Sequence, residues 1–303
     1  MPRAIAIGEV MVEMARGQDG RFALGVGGDT FNTAVYLARS GIETAYATAL
    51  GDEAYSARIR AAAEGEGLLV DTMMQVPGRV PGLYLIETDA QGERHFTYWR
   101  DSAPARDLFE LPGWERVAES IVESKLIYLS GVTLSLYSNL GLGRLLATLE
   151  FARERGSVVV FDGNFRPQGW GGDLGRARAV YAEALKRTTI ALPGYEDEAR
   201  LWGDGSPAGT AERIATFGVG EIVVKNGAQG ALIRAAGASH LVPAPSLAGP
   251  VVDTTAAGDS FNAAYLAARL GGAQPESAAE AGHRLAGAVI GHRGAILPRT
   301  ANA

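Results

Sequence analysis

The chain has 303 residues, 47% hydrophobic and 20% charged, a balance that suits a folded protein with a large core and excludes a mainly disordered one. Its formal net charge of −6 argues against a polyanion as main partner, because nucleic-acid binders carry a basic excess or stripe. The lack of cysteine removes disulfides, thiolate nucleophiles and thiolate metal sites, and the 4 scattered histidines show no metal-ligand spacing.

The length favours one domain with an appendage over two independent domains. Ala4-Ile5-Ala6-Ile7 stands near the start without a basic leader or cleavage pattern, and no apolar run approaches the roughly 18 residues of a membrane span, so an unexported, cytoplasmic protein is expected. In chain order, short apolar runs near 4–9, 44–50, 125–130, 157–162, 188–192 and 221–225 read as strands. Amphipathic stretches near 29–40, 53–66, 138–155, 173–186 and 208–218 read as helices between them. This alternation predicts an α/β fold with a mostly parallel central sheet flanked by helices. Strand ends such as Leu129-Ser130-Gly131 and Phe161-Asp162-Gly163-Asn164 turn polar at the carboxyl edge, where open α/β sheets bind ligands.

One segment breaks the rhythm. Gly82 to Thr88 and Arg94 to Arg100 are two β-rich runs around the polar turn Asp89-Ala90-Gln91-Gly92-Glu93, which predicts a hairpin. With the early loop at 11–27 it would form a small β lid, built from about 11–27 and 79–101, inserted in a single domain spanning 1–303. An edge hairpin without function is the alternative.

The string Asp253-Thr254-Thr255-Ala256-Ala257-Gly258-Asp259-Ser260-Phe261-Asn262 leads from a loop of small residues into a helix. Unpaired N–H groups and the helix dipole favour an anion there, and small side chains let phosphate oxygens come close. Asp259 at its mouth can accept the proton of an attacking hydroxyl or can simply cap the helix. The string closely resembles the signature Asp-Thr-x-Gly-Ala-Gly-Asp of the ribokinase-like, or PfkB, carbohydrate kinases. The resemblance implies a ribokinase-like sandwich, ATP as phosphoryl donor, Asp259 as catalytic base and Ala256, Ala257 and Gly258 as anion hole. Ala256 departs from the usual glycine, and it fits only if the loop needs no positive φ there.

Gly27-Gly28-Asp29-Thr30-Phe31-Asn32-Thr33-Ala34 resembles the family's N-terminal signature. Gly28 lets the backbone approach a sugar, and Asp29 and Asn32 can bond hydroxyls, although the residues alone favour a plain turn with an Asp cap. The resemblance covers essentially the whole chain.

Finer strings resemble the branch of the family that phosphorylates the sugar acid 2-keto-3-deoxygluconate: Arg79-Val80-Pro81-Gly82-Leu83-Tyr84, Ile86-Glu87-Thr88-Asp89, Gly92-Glu93-Arg94, Tyr98-Trp99-Arg100, Phe161-Asp162-Gly163-Asn164-Phe165-Arg166-Pro167 and Arg293-Gly294-Ala295-Ile296. A keto acid brings a carboxylate, and arginine suits bidentate carboxylate recognition, so Arg100 and Arg166 are the candidates. Tyr84 and Tyr98 either bond substrate or pack the lid.

Lys225-Asn226-Gly227-Ala228-Gln229-Gly230 resembles the family loop along ATP, which makes Lys225, Gly227 and Gly230 nucleotide candidates with Asn164 and Arg166; a hairpin turn explains the glycines as well. His283 falls where the family lines the adenine site. The family's Asn-x-x-Glu, which organises Mg²⁺ through water, is degraded here to Gly194-Tyr195-Glu196-Asp197-Glu198. Glu196, Asp197 and Glu198 remain candidates for the Mg²⁺ that accompanies ATP. The family's lids often pair between subunits, which implies a homodimer through the lid. No Gly-x-x-x-x-Gly-Lys-Ser/Thr string and no Gly-x-Gly-x-x-Gly after the first strand occurs, which disfavours a P-loop kinase and a dehydrogenase.

Overall fold

The computed structural model describes residues 3–17, 19–88, 94–247 and 249–299. The strands are β1 (Ala4–Ile7), β2 (Met11–Arg16), β3 (Phe22–Gly27), β4 (Thr44–Leu50), β5 (Met73–Gln75), β6 (Leu83–Thr88), β7 (Arg94–Trp99), β8 (Leu126–Ser130), β9 (Val158–Asp162), β10 (Ile190–Ala191), β11 (Glu221–Lys225), β12 (Ala231–Ala235) and β13 (Ala238–Val242). The helices are α1 (Asp29–Arg39), α2 (Ala54–Gly65), α3 (Trp114–Glu123), α4 (Gly131–Leu136), α5 (Asn139–Glu154), α6 (Leu174–Leu185), α7 (Tyr195–Trp202), α8 (Pro207–Ala215), α9 (Ala257–Leu270) and α10 (Pro275–Ile290).

Nine strands form the main sheet in the order β13-β12-β11-β10-β9-β8-β1-β4-β5. Pairing is parallel from β5 to β11 and antiparallel through β12 and β13 at the other edge. Period-two alternation sends Ile5 and Ile7 into the core on one face and Ala4 and Ala6 into the core on the other. Both faces are therefore buried, which explains why the central strands read as continuous apolar runs.

The second sheet, in the order β3-β2-β6-β7, is built from the two segments expected to form the lid. The 11–27 segment is a strand pair rather than a loop: Met11 faces Gly27 and Arg16 faces Phe22 across β2 and β3. The polar turn 89–93 lies outside the described residues. Among those described, no helix is long and apolar enough to cross a membrane.

Candidate active site

Residues of β8, β9 and β11, Tyr128, Asp162 and Lys225, meet in a hydrogen-bond network with Asn262 in the first turns of α9. Ala256 is the N-cap of α9, and Asp259 sits in its first turn. Helix α1 begins with Asp29 after Gly28 and lies against α9. Asn32 Nδ2 donates to Asp259 Oδ2 at 2.9 Å, and Thr33 Oγ1 donates to the Asp259 carbonyl at 3.3 Å. The two motifs that stood far apart in sequence are thus one constellation.

Burial, then the negative charge of Asp29, pushes the Asp259 carboxyl up to about 8; the Asn32 amide and the Lys225 ammonium pull it back. Asp29 is itself held by Asn164, whose Nδ2 donates to Asp29 Oδ2 at 2.6 Å. Asn164 has φ 35, a left-handed conformation that asparagine tolerates better than most residues. A carboxyl poised near neutrality beside the N-terminus of α9 is suited to taking a proton where negative charge then builds up.

Ala256 has φ 60, so the loop does require the left-handed conformation. The alanine does not escape that requirement, as the sequence reading allowed; it carries the strain, on the order of 1–2 kcal/mol for an L residue.

Lys225 lies under this loop, and a Cβ added at Gly258 would stand 3.5 Å from its Nζ. Its ammonium donates to Asn262 Oδ1 at 2.9 Å and to both Asp162 oxygens at 3.3 Å. Asn262 Nδ2 in turn donates to Asp162 Oδ2 at 2.7 Å and to the Tyr128 hydroxyl at 2.9 Å. Asp162 and Asn262 are additions to the sequence-derived set. Their signals were a charge ending the apolar strand β9 and a polar residue one helical turn after Asp259.

The hairpin reading of 225–230 has a direct basis: β11 and β12 pair antiparallel across it, and Gly230 has φ 97 with the Val242 carbonyl where a Cβ would go. Gly227 lies in the same turn. Lys225 ends β11 and reaches the anion loop, which a turn role alone does not require.

On the small sheet, Tyr84 and Tyr98 face each other across β6 and β7, ring centroids 5.9 Å apart. The Tyr84 hydroxyl donates to Glu13, while Arg100 stacks over the Tyr98 ring at 5.7 Å and pairs with the buried Glu9. Arg100, Arg166, Asp29 and Glu9 all act on the Tyr98 hydroxyl, so both candidate arginines share one neighbourhood. Arg166 Nη1 donates to both Asp197 oxygens, at 3.0 and 3.1 Å.

Two expected site residues are placed otherwise. Glu198 is buried and bound to Arg213 at 2.6 Å, and burial pushes its carboxyl up to about 7. It is committed to an internal pair and leaves the metal candidates. His283 is buried with its ring edge-on to Phe261 at 5.0 Å and Nε2 3.3 Å from the Val242 carbonyl; burial pushes its pKa down. Its contacts are those of a neutral packing residue rather than of a ligand-facing one. Of the acidic trio, exposed Glu196 and the Arg166-bound Asp197 remain.

The description "pfkB family carbohydrate kinase" matches residues 1–302. The chain belongs to the pfkB family of carbohydrate kinases. Among similar proteins, a 2-dehydro-3-deoxygluconokinase of Dickeya dadantii is 41% identical over 299 residues, 96% of each chain. This pfkB chain also superposes on a crystal structure of 2-dehydro-3-deoxygluconokinase from Thermotoga maritima with a TM-score of 0.84 at 20% identity, covering 98% of this chain and 95% of that one. A ribokinase II from E. coli in complex with ATP and Mg²⁺ gives a TM-score of 0.84 at 20% identity, covering 97% and 94%. At such identities the two structures speak for the fold: the large, mostly parallel sheet flanked by helices with a smaller second sheet is the ribokinase-like arrangement.

Proposed function

We propose that this pfkB carbohydrate kinase transfers the γ-phosphoryl group of ATP to the terminal hydroxyl of 2-keto-3-deoxygluconate, giving 2-keto-3-deoxy-6-phosphogluconate and ADP. One observation carries the substrate: the 41% identity, across nearly all of both chains, with the Dickeya dadantii 2-dehydro-3-deoxygluconokinase. Asp259 takes the hydroxyl proton as the oxygen attacks phosphorus and the bond to the leaving ADP oxygen breaks. The N–H groups of Ala256, Ala257 and Gly258, at the positive end of α9, hold the charge that develops on the phosphoryl oxygens. Positioning and electrostatics supply most of the rate in such transfers.

Gly28, Asp29, Asn32, Tyr84, Tyr98, Arg100 and Arg166 bound the acceptor side, with the small sheet as lid and the arginines offered to the carboxylate. Asn164, Lys225, Gly227, Gly230 and Arg166 bound the nucleotide side. Mg²⁺ that comes with ATP arrives on phosphates and keeps most of its waters; among the described residues no three or more acidic or histidine side chains cluster to hold a metal. Asp197 and Glu196 would face its water shell, and the ion neutralises phosphate charge when bound. A cytoplasmic setting, where ATP is supplied, belongs to this reading.

Coupled detection of ADP release across 2-keto-3-deoxygluconate, its galacto epimer, gluconate, fructose and ribose tests the reading. The keto acid is expected to give the highest kcat/KM. Preference for a neutral sugar would reduce the conclusion to the family activity, and no turnover with any sugar would favour a non-catalytic sugar-binding protein.

A further inference from the structure

The small sheet joins the main body through four chain crossings: out after β1, back at Gly28, out again at Gly82 and back at Arg100. Glu9 meets all of them. It precedes Val10 at the first crossing. Its carbonyl lies 2.3 Å from where a Cβ at Gly28 would stand, and its Oε1 lies 2.7 Å from where a Cβ at Gly82 would stand. Its other carboxylate oxygen pairs with Arg100. The side chain is 1% exposed and that of Arg100 18% exposed. Neither Gly28 nor Gly82 could carry a side chain without displacing Glu9: Gly28 makes room for its backbone and Gly82 for its carboxylate at the hinge.

We propose that Glu9 is a positioning residue that fixes the Arg100 guanidinium at the hinge of the small sheet for recognition of the substrate carboxylate. This rests on the sugar-acid reading above. A buried carboxylate has to be paired, because taking its charge out of water is expensive. Burial raises the Glu9 carboxyl and Arg100, its foremost counter-charge, lowers it. The planar guanidinium presents donors along more than one edge, so an edge held by Glu9 leaves another for a ligand. Arg100 follows the last residue of β7 and would otherwise be a flexible side chain at a sheet margin. Glu9 converts it into a fixed donor, and a misplacement of about 1 Å in such a group can lower rates about 100-fold.

The charge balance is consistent with this role. Besides Arg100, Arg106 and Asp29 act on Glu9, and Tyr46, Tyr98 and Tyr137 all feel its charge. With Glu9 and Arg100 cancelling, the hinge is close to neutral until an anionic substrate arrives. A neutral sugar gains nothing from the fixed arginine, so the device acts on acid specificity.

The test is a double-mutant cycle read in kcat and KM separately, with Glu9→Gln, Arg100→Gln and the pair, on 2-keto-3-deoxygluconate and on ATP. Arg100→Gln is expected to raise KM for the keto acid about 10- to 100-fold, the scale of a lost charge-assisted bond. Glu9→Gln is expected to raise it about 10-fold with KM for ATP changed less than about twofold, and the double variant to be no worse than Arg100→Gln, as for two residues acting through one contact. Glu9→Asp keeps the charge on a shorter arm and is expected to fall between parent and Glu9→Gln; it carries the cycle should the glutamine variant not fold. Losses that multiply in the double variant, parent-like KM in Glu9→Gln, or equal losses for ATP and keto acid would overturn the proposal. A silent Arg100→Gln would instead sink the carboxylate reading beneath it, and the proposal with it.

Discussion

The side-chain amide of Asn32 donates to Asp259 Oδ2 at 2.9 Å across 227 positions of sequence. The bond ties the first helix of the fold to the start of α9 and aims the carboxylate from its fixed side, leaving Asp259 Oδ1 as the oxygen free to meet an acceptor hydroxyl. Asp259→Asn keeps the shape and removes the proton acceptor. Turnover is expected to drop roughly 100-fold or more, the scale of a general base, with affinities for ATP and substrate within a few fold. Single-turnover rates and equilibrium titration check this, and near-normal turnover would reduce Asp259 to a helix cap.

The same carboxyl sets a pH dependence. With its pKa raised to about 8 by burial and Asp29, the basic form is scarce at low pH, so kcat/KM is expected to climb with pH and level off above about 8. Asp29→Asn removes a negative charge that favours the proton. The rising limb should therefore move to lower pH, whatever that change does to the plateau; a limb that stays in place would show that Asp29 does not tune the base.

Stability follows with the opposite benefit. A folded-state pKa above the unfolded value of about 3.9 means that the native state binds the proton more tightly. The stabilisation this gives is complete below the unfolded pKa and lost as pH rises through about 8. An asparagine has no charge to bury. Asp259→Asn is expected to melt a few degrees above the parent at pH 8, the advantage shrinking toward pH 4. Calorimetry at the two pH values reads the difference directly, and a variant that melts lower at pH 8 would contradict the burial of an acid at that position.

Ala256 gives an independent handle on the anion loop. At φ 60 an L residue is strained, and glycine is not. Part of the relief is offset by the freedom glycine adds to the unfolded chain, so Ala256→Gly should stabilise by about 0.5–1 kcal/mol. Ala256→Val brings a β-branched side chain into the left-handed region, and its loss should be on the order of 1–3 kcal/mol. Urea titration of the three proteins orders them, and a valine variant as stable as the parent would refute the strained loop.

The sheet was legible where burial on both faces left a continuous apolar run, as in Ala4–Ile7, Thr44–Leu50 and Glu221–Lys225. It was not legible at β13, where Ala238–Val242 is exposed along most of its length, nor at β5, a strand of 3 residues. Helix α10 starts with Pro275 at its first position, a start signal that went unread in an alanine-rich stretch. The anion loop showed itself as a local string. The Lys225–Asp162–Asn262 network did not, because its partners stand 37, 63 and 100 positions apart, and pairing at that distance is a property of the fold. Glu9 and Arg100 escaped notice as a pair for the same reason.

The small sheet bears on assembly. Register places Val26, Val12, Leu83 and Trp99 side by side across β3, β2, β6 and β7, with Leu24, Met14 and Leu85 in the neighbouring row on the same face. Tyr84, Ile86, Phe96 and Tyr98 point to the other face, by the alternation of strands. The first face has its inner end packed on the core, while Phe22 and Leu24 at its outer reach and Trp99 at the β7 edge stay exposed, Trp99 by 55%. A row of large apolar side chains beside two open sheet edges gains from being covered, and a second copy of the sheet offers the same apolar surface. The protein is therefore expected to be a homodimer or larger at micromolar concentration, with light scattering giving at least twice the 31.7 kDa chain mass. Trp99→Glu places a charge on that surface at the β7 edge, where loss of a tryptophan anchor covered by the second copy is worth about 2 kcal/mol or more. Dissociation should then strengthen about 30-fold or more and bring the mass toward a single chain. A parent that scatters as a monomer at micromolar concentration would refute the assembly, and a Trp99→Glu variant that remains dimeric would move the interface off this face.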